Sequence, residues 1–200
     1  YISEGADLVA FSGGKTIGGP QSSGILAGKR DLIMSAALQH LDQDIYFDQW
    51  NPPAGLIDKS RLPGAPQHGL GRPCKVGKEE IVGLLKALRL FVDEPEEQRF
   101  ARWKAITDRL ASDLSDIAGT ETRSVSRSES PYVPMVALRL DEESLGITAM
   151  ELVKQLQDGT PSIHVNPSRS HEGILLFGPM CLKEAETAVI GRTIQSILHD

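Results

Sequence analysis

The chain has 200 residues, with 21 Lys and Arg against 27 Asp and Glu, a net charge of -6 and 40% hydrophobic residues. This composition is that of an ordinary globular protein, and the length allows one domain or one domain with a small companion. The acidic balance argues against a nucleic-acid-binding surface, which usually shows a basic stripe. Cys74 and Cys181 belong to no Cys/His cluster, so neither a metal site nor a disulfide framework is predicted.

No apolar run has the length of a membrane span, and no basic-then-apolar targeting signal begins the chain. We therefore expect a cytoplasmic protein that does not contact a membrane. The chain begins at Tyr1, without Met, and soon enters an apolar strand pattern. From this start we expect the C-terminal portion of a larger enzyme.

The first half of the chain combines strand patterns, helices and a long irregular segment. Residues 6–11 form an almost continuous apolar run, which predicts a strand buried on both faces of a parallel sheet. A glycine-rich turn leads to a second predicted strand at 22–28, and a helix opens at 29–31. In residues 42–75, Pro and Gly break any period, and the aromatic side chains indicate an ordered, lid-like loop. A helix is predicted over 77–92 from its apolar period.

The second half of the chain predicts a small α+β module. The acidic, Pro-containing residues 93–96 separate it from the first half, so we predict one domain over 1–92 and a second over 93–200. A long helix opens the second domain, and helices are expected on one face of a sheet. The remaining predicted elements are strands near 121–127 and at 132–140, a helix at 148–158, strands at 162–166 and 173–178, and a helix at 183–198.

The turn that contains Lys15 allows three interpretations. A phosphate-binding P-loop requires a further glycine where Val9 stands, and the residues Gly18-Gly19-Pro20 cannot continue the helix that a P-loop opens. A solvated surface lysine is the simplest interpretation. The third is a lysine that forms a Schiff base with a cofactor aldehyde, because the neighbouring glycines leave room for a planar ring. The Ser12 hydroxyl could then bind a cofactor phosphate.

A resemblance favours the third interpretation. Residues 6–24, which include Ser12-Gly13-Gly14-Lys15 and Gly18-Gly19-Pro20-Gln21, resemble the cofactor-lysine segment of the selenocysteine synthase-like family of pyridoxal-phosphate enzymes. This family includes L-seryl-tRNA(Sec) selenium transferases and D-glucosaminate-6-phosphate ammonia-lyase-like enzymes. Residues 28–33 and 71–81 are also similar to segments of that family. The resemblance is detailed over residues 4–92 and architectural beyond them.

The resemblance implies a fold-type-I, aminotransferase-like α/β enzyme with pyridoxal 5'-phosphate bound to Lys15. It implies that Lys15 also moves the substrate proton, that Ser12 contacts the cofactor phosphate, and that Gly18 and Gly19 shape the floor beside the ring. The family's pyridinium-binding aspartate and main phosphate loop lie upstream of the lysine, and Asp7 is a poor match for that aspartate. We therefore expect these 200 residues alone to be inactive, and the protein to be a homodimer or larger homo-oligomer.

Three further residues are candidates for substrate binding. Arg72 could bind a substrate carboxylate or phosphate, and His68 could act as an acid or base. Arg169 lies between the last two predicted strands, where related folds often place a carboxylate-binding arginine. The alternatives are a structural charge for the two arginines and a solvated loop histidine for His68.

The resemblance implies α,β-elimination at an amino acid or amino-sugar acid, of the ammonia-lyase kind. We favour this branch over selenium transfer because the acidic chain offers no obvious tRNA-binding surface. Selenium transfer, transamination and aldolase-type cleavage stay open as alternatives, because each uses the same lysine. A truncated, non-catalytic relative that keeps the fold is the alternative outside enzyme chemistry.

Overall fold

A computed structural model describes residues 1–125, 128–130 and 132–199 of the chain. The chain divides into two compact units, Tyr1–Asp93 and Glu94–Asp200. Within the described residues, none of the helices combines the length and the apolar character that crossing a bilayer requires.

Two antiparallel strands begin the first unit. Strand β1 (Leu8–Ser12) pairs with β2 (Gly24–Gly28), so that Leu8 lies opposite Gly28 and Ser12 opposite Gly24. The partner of this strand is therefore antiparallel, whereas the apolar run of residues 6–11 predicted a strand of a parallel sheet. The reason is the connection over residues 13–23, which contains no helix, whereas parallel strands need a longer crossover that usually includes one.

The expected burial of the first strand on both faces is also wrong for the described chain. Phe11 and Leu26 each keep 43% of their surface exposed, and Leu8 keeps 38%. Only β1 and β2 pair in the described part of this unit, so no further strands extend the sheet around these side chains.

The rest of the first unit contains α1 (Arg30–Gln39), the irregular segment 42–75 and α2 (Lys78–Asp93). The segment is ordered by a small apolar cluster, in which Trp50 and Ile57 pack with Met34 of α1. It also contains three short 3-10 turns, at Phe47–Gln49, Lys59–Arg61 and Arg72–Cys74. The expectation of an ordered loop is thus confirmed, and its action as a lid stays a prediction.

The second unit places helices on one face of a three-stranded sheet. Its elements are α3 (Glu96–Leu114), β3 (Thr120–Ser124), β4 (Val136–Leu140), α4 (Glu142–Leu145), α5 (Ala149–Asp158), β5 (Ile174–Phe177) and α6 (Thr187–His199). The sheet is antiparallel in the order β3-β4-β5. Alternate strand residues and the apolar stripes of three helices form one core, which includes the fully buried Leu110, Leu138, Leu152, Leu175 and Ile194.

Four details of the second unit differ from the predicted elements. Residues 162–166 form no strand, because Pro161 and Pro167 lack a backbone N–H on either side and only Asn166 bridges to Leu176. Strand β4 begins at Val136, after Pro134. The predicted strand near 121–127 ends at Ser124 in β3, and residues 126 and 127 lie outside the described residues. The unpredicted α4 is one turn long, capped by Asp141 and ended by Gly146 at a φ of 67°.

Gly191 of α6 permits a close approach to α3. A Cβ at this position would lie 2.6 Å from the backbone oxygen of Asp113. We expect Gly191→Ala to lower the free energy of unfolding by about 1 kcal/mol or more, because overpacking outweighs the helix propensity that alanine gains. Urea unfolding measures this change. Gly178→Ala is the matched control, because its Cβ would meet nothing within 4 Å; equal effects of the two variants would contradict the packing argument.

Candidate active site

The turn between β1 and β2 is held by its own backbone. The Gly13 amide donates to the Ser23 carbonyl at 2.9 Å, and the Gly19 amide donates to the Gly13 carbonyl at 2.8 Å. Within the segment that these two hydrogen bonds enclose, the Gly18 amide donates to the Lys15 carbonyl at 2.8 Å. The turn is therefore a fixed extension of the hairpin.

Close packing explains why glycines stand before the lysine. A Cβ on Gly13 would lie 2.6 Å from Cδ1 of Leu84 on α2 and would also overlap the Ser23 hydroxyl. A Cβ on Gly14 would lie 2.6 Å from the Cα of Gln21, whose side-chain amide donates to the Gly14 carbonyl at 2.8 Å. Any larger residue at either position would force the turn apart.

Lys15 projects from this turn with an exposed side chain. No hydrogen bond or ion pair engages its ammonium group within the described residues. Ser12, at the end of β1, is also exposed, and its Oγ accepts the Gly14 amide at 3.3 Å, so its O–H can still donate. The P-loop interpretation is wrong, because strand β2 follows the turn where a P-loop needs a helix.

The other two predicted cofactor residues have different surroundings. Gly18 has a φ of 75°, which favours glycine, and a Cβ there would meet nothing within 4 Å. Gly19 packs inward, because its Cβ would lie 3.0 Å from the Gly13 carbonyl oxygen and 3.2 Å from Leu84. Of the two, Gly18 leaves open space beside Lys15, and Gly19 supports the turn.

His68 and Arg72 are brought together by Asp42, which follows α1. The Asp42 carboxylate accepts the His68 backbone N–H at 3.0 Å and the Arg72 guanidinium at 2.8 and 2.9 Å. The bond from the His68 backbone, and then the charge of Arg72, lower the pKa of the Asp42 carboxyl below its usual value. His68 has a φ of 55°, unusual for a residue with a side chain, so this contact holds a constrained loop in place.

Arg169 belongs to the second unit and lies just before β5. Its guanidinium forms a two-point contact with the Glu172 carboxylate, with Nε 3.0 Å from Oε1. The hydrogen bonds that Arg169 donates to Glu172 raise the pKa of the Arg169 guanidinium above its usual value. Arg169 and Arg72 thus each pair with a carboxylate of the chain, as the alternative of a structural charge predicts.

The contacts by which three residues support the lysine turn were not predicted from the sequence. Ser23 accepts the Gly13 amide through its carbonyl and donates its hydroxyl to the Pro20 carbonyl at 2.6 Å. Gln21 and Leu84 make the contacts already described. The apolar period of α2 predicts that Leu84 is buried. This period does not predict that Leu84 packs against the lysine turn. Among the described residues, no group of three His, Cys, Asp or Glu side chains could hold a metal ion.

Known proteins match this chain at the level of sequence and fold. Residues 1–51 match the family model of L-seryl-tRNA selenium transferase. A 5'-C-glycyluridine monooxygenase-decarboxylase from Streptomyces sp is 30% identical over 100% of the chain and 43% of its own length. A D-glucosaminate-6-phosphate ammonia lyase from Salmonella typhimurium is 23% identical over 98% of the chain and 45% of its own length. A solved structure of D-glucosaminate-6-phosphate ammonia-lyase has a TM-score of 0.67 at 23% identity, covering 100% of the chain and 46% of that structure.

The structural match gives a mixed α/β fold consistent with fold-type-I pyridoxal-phosphate enzymes. The sequence matches confirm the resemblance carried by the lysine turn: the chain is similar to proteins of the selenocysteine synthase-like group, among them L-seryl-tRNA selenium transferases and a D-glucosaminate-6-phosphate ammonia lyase. The chain spans less than half the length of the two relatives and of the matched structure. The monooxygenase-decarboxylase is a kind of relative that the motifs did not suggest.

The contacts of Asp42 predict a pH dependence of stability. A carboxyl with a lowered pKa in the folded state stabilises the fold above its unfolded value of about 3.9, and this contribution is lost as pH falls through the lower folded value. We expect Asp42→Asn to be less stable than the wild type at neutral pH, with the gap closing in acid. Urea midpoints between about pH 7 and pH 3 test this, with the exposed Asp44→Asn as control. A gap that persists unchanged in acid would contradict the assignment.

Proposed function

We propose that Lys15 binds pyridoxal 5'-phosphate covalently and that the protein is an enzyme of this cofactor. The observation that carries the proposal is the exposed Lys15 side chain, without an ionic partner in the described chain, on a turn fixed by Gly13, Gly19 and Ser23. A surface lysine needs no such scaffold. A lysine that must meet an aldehyde carbon in one orientation does need it.

The residues around Lys15 fit this cofactor. Gly13 and Gly14 have no space for a Cβ, so no side chain of theirs can project between Lys15 and a planar ring. A shallow, open depression of about 430 Å³ lies on the β1–β2 pair beside residues 10–12 and 24–26, and it reaches Ser12. The Ser12 hydroxyl supplies a donor for a phosphate oxygen. When bound, the cofactor supplies an electron sink for the substrate carbon next to the amine.

Lys15 has two tasks in this proposal. First, its amine would hold the cofactor covalently at the aldehyde carbon, with water as the leaving group. Second, once its amine is free, Lys15 would accept the proton from the substrate α-carbon, and the electron sink that the cofactor supplies would allow a group to leave the β-carbon. The proposed substrate is an amino acid or an amino-sugar acid, as in the reaction named for the ammonia lyase relative.

The substrate-binding residues stay predictions. Arg169 offers a planar guanidinium to a substrate carboxylate, although this guanidinium donates hydrogen bonds to Glu172 in the structure. Arg72 and His68 already contact Asp42, so a substrate role for them would require these contacts to be exchanged. The homo-oligomeric state and the cytoplasmic location likewise remain predictions.

A second candidate function is decarboxylation of a glycyl group on a nucleoside. The match that favours it is the 30% identity over the whole chain to the 5'-C-glycyluridine monooxygenase-decarboxylase. Such a reaction would use the same lysine, because it also begins from an amine next to a carboxylate. The non-catalytic alternative is disfavoured by the intact set of Ser12, Lys15 and the glycines between them.

The covalent attachment is tested by borohydride reduction of the native protein, followed by an absorption spectrum and peptide mass mapping. We expect a visible band that disappears on reduction, with a pyridoxyl group on the peptide that contains Lys15. Lys15→Arg should abolish both signals, because a guanidinium does not condense with the aldehyde. Lys86→Arg, at an exposed site on α2, is the control and should keep them. A wild type that stays unmodified after incubation with the cofactor would refute the proposal.

The reaction type is tested by product analysis on the same preparation. Elimination should release ammonia from D-glucosaminate 6-phosphate or a related amino acid, without carbon dioxide and without use of oxygen. Decarboxylation of 5'-C-glycyluridine by a monooxygenase-type reaction should consume oxygen and release carbon dioxide. Lys15→Arg should stop whichever reaction is observed, and Lys86→Arg should leave it within about twofold, the range expected for surface changes away from the site.

A further inference from the structure

The sheet of the second unit has a second face that carries arginines. Its residues alternate with those of the core, so Arg123 on β3 and Arg139 on β4 lie on the face opposite the helices. In the ladder, Arg123 lies opposite Ala137, and Arg139 lies between Glu121 and Ile174. This register places the two guanidinium-bearing residues in neighbouring rows of one face.

Arg169 joins these two arginines around a small cavity. The cavity has a volume of about 140 Å³, and Arg123, Arg139 and Arg169 line it together with Glu121. Pockets for drug-sized ligands are several times larger, at roughly 300–1,000 Å³. The size therefore suits a small oxyanion or the charged end of a larger molecule.

The floor of this cavity is apolar. Ala137 and Ile174 line it, and they are only 5% and 4% exposed, although they lie on the face that no helix of the core covers. Leu176, at 8% exposure, packs with them. The arginine stems thus shield an apolar base, and a charge held above such a base is less weakened by water than one on an open surface.

The charges around the cavity leave one arginine incompletely paired. Arg123 contacts Glu129 at 2.9 Å and Arg169 contacts Glu172, and these pairs are partly exposed, so they exchange at little cost. In the described residues, Arg139 donates one long hydrogen bond of 3.5 Å to the Glu172 carbonyl oxygen, and its charge also acts on the Glu172 carboxylate without a close ion pair. Three planar guanidinium groups near one small volume match the geometry of a phosphate group.

We propose that this arginine cavity, formed by Arg123, Arg139 and Arg169, binds a phosphate group. Arg139 donates to it directly, and the two other arginines turn from their glutamates to share it. Glu121 is the one carboxylate that lines the cavity, and it opposes the anion and limits its affinity. Phosphate binding in the arginine cavity requires neither Lys15 nor a cofactor. It can therefore be tested separately from the proposed function.

The test is calorimetric titration with inorganic phosphate and with glucose 6-phosphate, against chloride at equal ionic strength. We expect both phosphates to bind and Arg139→Gln to weaken binding about tenfold, as for the loss of a charged hydrogen bond. Arg192→Gln removes an equal charge from exposed α6, whose core side packs on the other sheet face, and should leave binding unchanged. Tighter binding of glucose 6-phosphate would identify a phosphate ester, rather than the free ion, as the natural ligand.

The variant Glu121→Gln is expected to gain affinity for phosphate, and misfolding cannot produce a gain of affinity. Removal of the opposing carboxylate should tighten the binding of inorganic phosphate several-fold. In the Lys15→Arg protein, binding should persist; its loss there would place the anion at the lysine turn and overturn the proposal. Absence of binding in the wild type, unchanged binding in Arg139→Gln, or an equal loss in Arg192→Gln would also overturn it.

Discussion

The hydrogen bond from the Gly13 amide to the Ser23 carbonyl is the contact on which the candidate site depends. It continues the β1–β2 ladder one residue beyond the strands and brings the two arms of the turn so close that Gly13 and Gly14 have no room for a side chain. The arms also rest on Leu84. Because the backbone of the turn satisfies its own donors and acceptors, the described residues leave the Lys15 amine without a hydrogen bond or an ion pair.

The second unit follows a different constraint, which is the alternation of side chains in a sheet covered on one side. Once α3, α5 and α6 cover one face, every second strand residue must lie on the other. That face could have been uniformly polar. Instead, a buried apolar strip of Ala137, Ile174 and Leu176 lies among long arginines. These apolar side chains are shorter than the arginines around them, so a cavity remains between the arginines. Long side chains at every position of this face would have filled the cavity.

Local patterns predicted most elements, and failed where the outcome depended on distant parts of the chain. The helix α2 and the strands β1 and β2 lie within about two residues of their predicted bounds, and the long helix predicted after them is present as α3. The antiparallel direction of the β1–β2 pair was not predicted, although the length of its connection contained the needed information. The contact of Leu84 with the turn and the approach of Arg169 to the β3–β4 pair could not be read from spacing, because each joins segments far apart in sequence.

The family model and the individual relatives match different lengths of the chain, and this difference shows which part the relatives share. The family model covers only residues 1–51, which contain the lysine turn, β2 and α1. Relatives named for a lyase, a monooxygenase-decarboxylase and a selenium transferase all resemble the chain there or along its whole length. A site element common to several reactions cannot select among them. The choice must therefore lie in side chains that orient the substrate, and oriented guanidinium groups are the kind of feature that sorts carboxylates, phosphates and nucleosides.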